Sequence, residues 1–342
     1  TASFVLPILE KFNVERKLRG KRIRALILTP TRELAIQVEA NVAKYSKYLN
    51  LSSMVMYGGV DSGPQRQRLI YGVDILVATP GRLIDMMYQR VLHFDELEIL
   101  VLDEADKMLD MGFINDIEKI IDRLPSQRQS LLFSATLTEE VRFLADTVNE
   151  DAVKISVPLS SATTPKINQW LITVDKDKKS ALLSHLIKQQ QWDRALIFID
   201  KKHAAAKLVS QLEKRGIIAE AIHGGRSQAV RERILADFKS GELKFLVATG
   251  IASRGIDIEN MTRVVNYDLP YDSDDYIHRI GRTGRAGASG EAISFVSNDN
   301  FKNLCAIESR LGHIITRKEI EGFEVKKVVP VSILNFVPKH KR

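Results

Sequence analysis

An apolar run, Ile99-Leu-Val-Leu, stops abruptly at Asp103-Glu104-Ala105-Asp106. Paired carboxylates at the end of such a run suit a divalent cation and a water: Asp103 could hold Mg²⁺, usually through water, and Glu104 could activate an attacking water. The plain alternative is an acid-rich helix N-terminus, favoured by the positive end of the helix dipole. Other polar turns follow other apolar runs. Pro30-Thr-Arg-Glu-Leu-Ala35, Thr79-Pro-Gly-Arg82 and Ser134-Ala-Thr136 each place a hydroxyl at a helix start, and two of them add an arginine. Backbone amides there can hold phosphate oxygens, although each turn reads equally well as an ordinary N-cap. Further along, Ala248-Thr-Gly-Ile-Ala-Ser-Arg-Gly-Ile-Asp257 follows an apolar run and His278-Arg-Ile-Gly-Arg-Thr-Gly-Arg285 follows a helical segment. Arginines spaced by glycines can approach a nucleotide closely.

These turns need a scaffold that brings them together. Short β-branched apolar runs alternate with helix-length amphipathic segments throughout, the pattern of parallel sheets covered by helices. Strands are expected over Ala25–Leu28, Ile75–Ala78, Ile99–Leu102, Ser130–Phe133, Ala195–Ile199, Lys244–Ala248, Arg263–Asn266 and Ala292–Val296. Open sheets of this kind bind ligands at the carboxyl ends of their strands, where the polar turns fall. Val157–Asn168 has no periodicity and contains Pro, Ser and Thr, so it reads as a linker between two α/β halves.

Length and composition agree. The chain has 342 residues, 44% apolar and 27% charged, enough for two domains and outside the disordered, collagenous and disulfide-rich classes. One cysteine, Cys305, rules out a disulfide framework or a Cys-based zinc site and is expected to be core filler. No apolar run reaches the roughly 18 residues of a membrane span, so a soluble cytoplasmic protein with no membrane partner is expected. The net charge of +7 is uneven: residues 1–157 carry a slight acidic excess and the basic excess lies in the rest, a weak pointer to polyanions.

Together, and in this order, the motifs resemble the DEAD-box RNA helicases over residues 1 to about 312. Asp103 to Asp106 spell the family's namesake motif. Ile197-Phe198, Ala221-Ile-His-Gly-Gly, Ala-Asp-Phe-Lys-Ser-Gly241 and Asp-Tyr-Ile-His-Arg279 look closest to the bacterial RhlE-like branch. The resemblance implies an α/β fold of two RecA-like domains, each a mostly parallel sheet flanked by helices. Residues 1–157 would form the first, truncated at its start, 158–168 a linker, 169–322 the second domain, and 323–342 a basic tail.

It also implies ATP and Mg²⁺ as cofactors. The partner would be single-stranded or short duplex RNA, bound without regard to sequence through phosphates and 2′-hydroxyls. Thr1 and Asp103 would hold the metal, and Glu104 the water. Asp106, Gly255, Asp257, Arg282 and Arg285 would complete the nucleotide site, with Asp257 on the ribose and the two arginines as fingers. Arg32, Gly59, Thr79 and Arg82 would contact RNA from the first domain, and Arg226, Thr249 and Gly250 from the second. Ser134, Thr136 and His278 would couple the two ligands. Closure of both domains on ATP and a bent RNA strand would open a duplex, and phosphate loss would release it. A monomer is expected, with ribosome-assembly or RNA-decay complexes as plausible settings.

Two departures stand out. The family's Gly-rich phosphate loop and the glutamine segment before it have no counterpart in residues 1–342. Thr1-Ala-Ser-Phe-Val-Leu-Pro7 matches the stretch just after the loop lysine, so Thr1 stands as the loop's hydroxyl residue. Gly20-Lys21 fails the pattern, with Arg22 after it and Glu15 where the first glycine should fall. A fragment of a full helicase is the favoured expectation, and a nucleotide-independent RNA clamp the alternative for the isolated chain. The second departure is Gly250, where many relatives carry Asp. A related DNA helicase is a third reading, disfavoured by the motif match.

Among the rest, no histidine pair has metal-ligand spacing. Trp170 and Trp192 read as packing, and His93, His185, His203, His313 and His340 as surface or cap residues. The tail reads as either a basic arm or a solvated end.

Overall fold

The computed structural model describes residues 1–13, 22–149, 151–156, 167–250, 258, 261–284 and 290–334. The chain divides into two compact units, the first spanning Thr1–Ser156 and the second lying beyond it.

The first unit runs α1 (Ala2–Phe12), β1 (Ala25–Leu28), α2 (Arg32–Tyr45), β2 (Ser53–Met56), α3 (Gly63–Tyr71), β3 (Ile75–Ala78) and α4 (Pro80–Tyr88). It continues with β4 (Ile99–Leu102), α5 (Ala105–Asp110), α6 (Ile114–Ile121), β5 (Gln129–Leu132) and α7 (Glu139–Val148). Its sheet has the order β2-β3-β1-β4-β5, and every pairing is parallel. The central strands β1, β3 and β4 are buried at every residue, which is why they are uninterrupted apolar runs. Alternate side chains leave for opposite faces. Leu26, Leu28, Leu76, Ala78, Leu100 and Leu102 pack with Leu83 and Met86 of α4 and Ile117 and Ile120 of α6. Ala25, Ile27, Ile75, Val77, Ile99 and Val101 pack with Phe4, Ile8 and Phe12 of α1 and Leu34 and Val38 of α2.

The second unit contains β6 (Ile167–Thr173), α8 (Lys179–Gln189), β7 (Ala195–Ile199), α9 (Lys202–Glu213), β8 (Ala219–Ile222), α10 (Gln228–Ser240) and β9 (Phe245–Thr249). β10 (Arg263–Asn266), α11 (Ser273–Ile280), β11 (Gly290–Val296), α12 (Phe301–Leu311) and β12 (Thr316–Lys318) follow. Its sheet, again wholly parallel, has the order β12-β6-β11-β10-β7-β9-β8. One face buries Ile172, Ile197, Val247, Val265 and Phe295 under α8 and α9, and the other buries Leu171, Ala292 and Val296 under α11 and α12. Trp170, Trp192 and Cys305 are all buried.

Several expectations shift. Strands expected at Ser130–Phe133 and Lys244–Ala248 each move by one residue, to Gln129–Leu132 and Phe245–Thr249, and the one expected at Ala292–Val296 begins at Gly290. Ile167 and Asn168, given to the linker by composition, belong to β6 and pair with Gly290 and Glu291 of β11. The tail after Gly322 is not a free end over its described part. Phe323 lies against the His185 ring, 5.4 Å between centroids, and Val329 and Ser332 are buried. Arg317 donates to the carbonyls of Val329 and Pro330. Apolar contact, invisible to a charge count, docks this segment. No described helix is long and apolar enough to cross a membrane.

Candidate functional site

In a parallel sheet all carboxyl ends share one edge, so the residues after β1 to β5 are forced into a row. Asp103 begins the turn after β4, its N–H donating to the Leu28 carbonyl of β1 at 3.0 Å. Burial pushes its carboxyl above the usual range, opposed chiefly by the Thr1 amino group and by the Glu104 N–H, while Asp106 adds to the rise. Glu104 takes a left-handed backbone conformation, φ 53° and ψ 53°, uncommon and strained for a residue with a Cβ, and such strain clusters at working sites. This sharp turn lets the chain pass from β4 into α5.

Asp106 lies in the first turn of α5 and is 6% exposed. One of its oxygens accepts from the Lys107 N–H at 3.0 Å and the other from the Thr136 hydroxyl at 3.2 Å. Ser134 donates to the Thr136 carbonyl at 2.6 Å, so the turn after β5 is braced and then tied to the acidic turn after β4.

Farther along the edge, Arg32 opens α2, where the Thr31 hydroxyl accepts from the Leu34 N–H. Its guanidinium lies against Gly59. A Cβ on Gly59 would come within 2.2 Å of Arg32 Nη1, and Gly59 has φ +79°. Thr79 caps the start of α4 through its backbone, with no hydrogen bond from its side chain to the helix. Arg82 is engaged within the chain: it donates to the Val60 carbonyl at 2.8 Å and to Gln65 Oε1 at 3.4 Å. It pins the Gly59-Val60 turn to α4.

In the second unit the corresponding edge of its own sheet carries Asp200, Lys201 and Lys202 after β7, His223 to Arg226 after β8, Thr249 at the end of β9 and Gly250 after it, and Asp268 after β10. His223 Nδ1 accepts from the Gly225 N–H, and burial together with Arg226, Lys202 and Arg231 holds its imidazole below the usual range. A Cβ on Gly250 would meet Arg279 and Asp275 only at ordinary contact distance, 3.5 and 3.7 Å, so space does not demand glycine there. His278 lies on α11, and Arg282 follows it, its carbonyl accepting from the Met261 N–H. Gly255, Asp257 and Arg285 lie outside the described residues, as does Gly20-Lys21.

A cluster of buried charges behind this edge was missed in the sequence. Arg279 Nε donates to Asp275 at 3.0 Å and Nη1 to the Asp268 carbonyl at 2.9 Å. Lys179, of α8, donates to the Tyr267 carbonyl and to Asp268 Oδ1. Asp200 sits among them, its carboxyl raised first by burial and then by Asp268. Asp200 and Asp268 each stand next to an apolar run, which was the available signal; Lys179 carried none.

Among the described residues no group of three His, Cys, Asp or Glu side chains could cage a metal. The donor set that does exist fits Mg²⁺ differently. A threonine and a half-desolvated carboxylate offer hard oxygens, and Mg²⁺ typically takes one or two protein carboxylates together with phosphates and water.

Two parallel sheets flanked by helices, with an acid pair and a braced Ser-x-Thr turn on one and an arginine-bearing helix end on the other, define a RecA-like helicase core. The comparisons make this specific. The DEAD/DEAH box helicase family matches residues 1–144 and the helicase conserved C-terminal domain residues 177–287. The chain is 40% identical to the ATP-dependent RNA helicase RhlB of Pseudomonas syringae, over 92% of this chain and 81% of that protein. It is 41% identical to the DEAD-box ATP-dependent RNA helicase CshA of Geobacillus kaustophilus, over 90% of this chain but 65% of the relative, so it spans slightly less than two thirds of that protein's length. Among solved structures, S. cerevisiae Dbp5 bound to RNA and ADP BeF3 superposes with TM-score 0.82 at 32% identity, covering 93% of this chain and 82% of that one. The chain belongs to the DEAD-box ATP-dependent RNA helicase family.

Proposed function

We propose that this chain is the motor part of an ATP-dependent RNA helicase that locally opens short RNA duplexes. The observation that carries the reading is the Thr136 to Asp106 hydrogen bond. It ties the turn after β5 to the acidic turn that would face the nucleotide. Thr1 and Asp103 would hold Mg²⁺, and Glu104, at the strained turn after β4, would accept the proton of the attacking water. The bound ion supplies neutralisation of charge developing on the phosphates. Arg32, Gly59 and Thr79 face one stretch of RNA backbone, with Arg82 bracing the Gly59-Val60 turn from within the chain, and Arg226, Thr249 and Gly250 face another. Arg282 and Arg285 reach the phosphates when the domains close, so hydrolysis depends on both ligands at once. Asp257 and Gly255 hold the ribose side, and His278 relays between the sites.

A cytoplasmic monomer of the RhlE-like branch, working in ribosome assembly or RNA decay, fits this reading. The test is ATP hydrolysis by the full-length protein with and without single-stranded RNA. We expect stimulation by RNA and its loss in Glu104→Gln. Hydrolysis indifferent to RNA, or unchanged in Glu104→Gln, refutes the proposal.

A second reading, a nucleotide-independent RNA clamp, is favoured by one feature. The turns meant for RNA are held by contacts within the first unit, Arg32 on Gly59 and Arg82 on Val60. RNA affinity that is the same with and without ATP would support this reading.

A further inference from the structure

The turn that carries Gly59 and Val60 continues to Ser62, and there it borders a groove of about 360 Å³ lined by Ser62, Arg82, Asp85, Met86, Tyr88 and Gln89. The groove runs along the face of α4 that carries residues 82, 85, 86 and 89, the spacing that shares one side of a helix. At its far end Tyr88 is 70% exposed, a large ring with its face available. The polar groups are not those of a phosphate site. The Arg82 guanidinium, 9% exposed, is taken up by Val60, Gln65 and, at 4.0 Å, Asp85. Asp85 is 67% exposed and its carboxylate repels a phosphate, whereas it can accept from a base edge. An exposed ring, an acceptor-only carboxylate and the Gln89 amide around one groove match an unstacked nucleobase, which needs a flat face and partners on its edge.

We propose that this groove is a nucleobase subsite for the same RNA strand. A base stacks on Tyr88 and its amino or imino hydrogens donate to Asp85, so guanine, which offers N1–H and N2–H₂ side by side, is preferred. This rests on the RNA reading above and adds base preference to otherwise sequence-independent binding. Because the groove begins at Ser62 and Arg82 and α4 is nine residues long, about 13 Å at 1.5 Å per residue, a strand held at Gly59 and Thr79 places a neighbouring base at the subsite.

The test compares binding of a uridine decamer with that of decamers of the same length carrying one guanosine, or one adenosine, in each flank, by fluorescence anisotropy. The unaltered chain should bind the guanosine decamer about fivefold or more tighter than the uridine decamer, as one base stacked on an aromatic ring allows. Tyr88→Ala should lose that gain, Tyr88→Phe should keep it, and Asp85→Asn should lose the preference for guanosine over adenosine. Tyr88 is exposed, so its replacement leaves the fold in place. A guanosine advantage that survives Tyr88→Ala overturns the subsite, as does equal affinity for the guanosine and adenosine decamers. If none of the decamers binds, the RNA reading itself fails and the subsite with it.

Discussion

Replacing Gly59 by alanine separates a structural effect from a functional one. Gly59 has φ +79°, and the new Cβ would fall 2.2 Å from Arg32 Nη1 and 2.4 Å from Cζ. The backbone conformation alone costs an L-residue about 1 kcal/mol, which for a unit of this size lowers its melting midpoint by roughly 2–4 °C. The clash falls on the far end of a flexible side chain, so Arg32 swings away at little further cost in stability. Its displacement removes a charged donor from the RNA edge. A hydrogen bond to a charged group is worth about 1.5–3 kcal/mol, or roughly ten- to a hundredfold in affinity. Gly59→Ala should therefore weaken RNA binding about as much as Arg32→Ala does. The double variant should bind no worse than Arg32→Ala alone, because both changes remove the same contact. Scanning calorimetry, which resolves the transitions of separate domains, and RNA titration by anisotropy measure the two effects independently. Additive losses of affinity, or full affinity in Gly59→Ala, would refute the placement of Arg32.

Three further outcomes are expected. Thr136→Val keeps the side-chain shape but strips a donor from a carboxylate that is 6% exposed; stability by urea denaturation should fall by about 1.5–3 kcal/mol, and a loss under about 0.5 kcal/mol would contradict a structural bond there. Burial and then Asp268 raise the Asp200 carboxyl above 3.8, so the folded state takes its proton more readily than the unfolded one and stability declines as pH rises from the unfolded value through the folded one; Asp200→Asn should be the more stable form at pH 7 with the gain vanishing in acid, and a gain that grows as pH falls contradicts this. His223 is held below 6.5 by burial, Arg226, Lys202 and Arg231, so the unfolded chain protonates first and stability falls as pH drops from 6.5 toward the folded value. RNA phosphate beside that cluster should raise the imidazole pKa, and an NMR titration in which bound RNA leaves it unchanged would remove the second unit's β8 turn from the RNA path.

What the amino-acid order determined is whatever depends on a local run. Ala25–Leu28, Ile75–Ala78, Ile99–Leu102 and Ala195–Ile199 end where expected, because a strand covered by neighbours on both sides and helices on both faces must be apolar from end to end; Arg263–Asn266 ends where expected too, marked by Val264 and Val265. Asp103, Glu104 and Asp106 were legible for the same reason: they are contiguous and follow such a run. Strands β2, β8 and β12 and the start of β6 were not, since a sheet edge or a half-exposed face tolerates Ser53, Glu220, Thr316 and Asn168. Only the tertiary structure brought Arg32 onto Gly59, engaged Arg82 with Val60, and set the tail against His185. Only it gathered Lys179, Asp200, Asp268, Asp275 and Arg279 into one buried cluster. Covalent spacing dictates which way a neighbouring side chain faces, but burial of a charge depends on what distant elements place around it, and that is decided when the sheet closes under its helices.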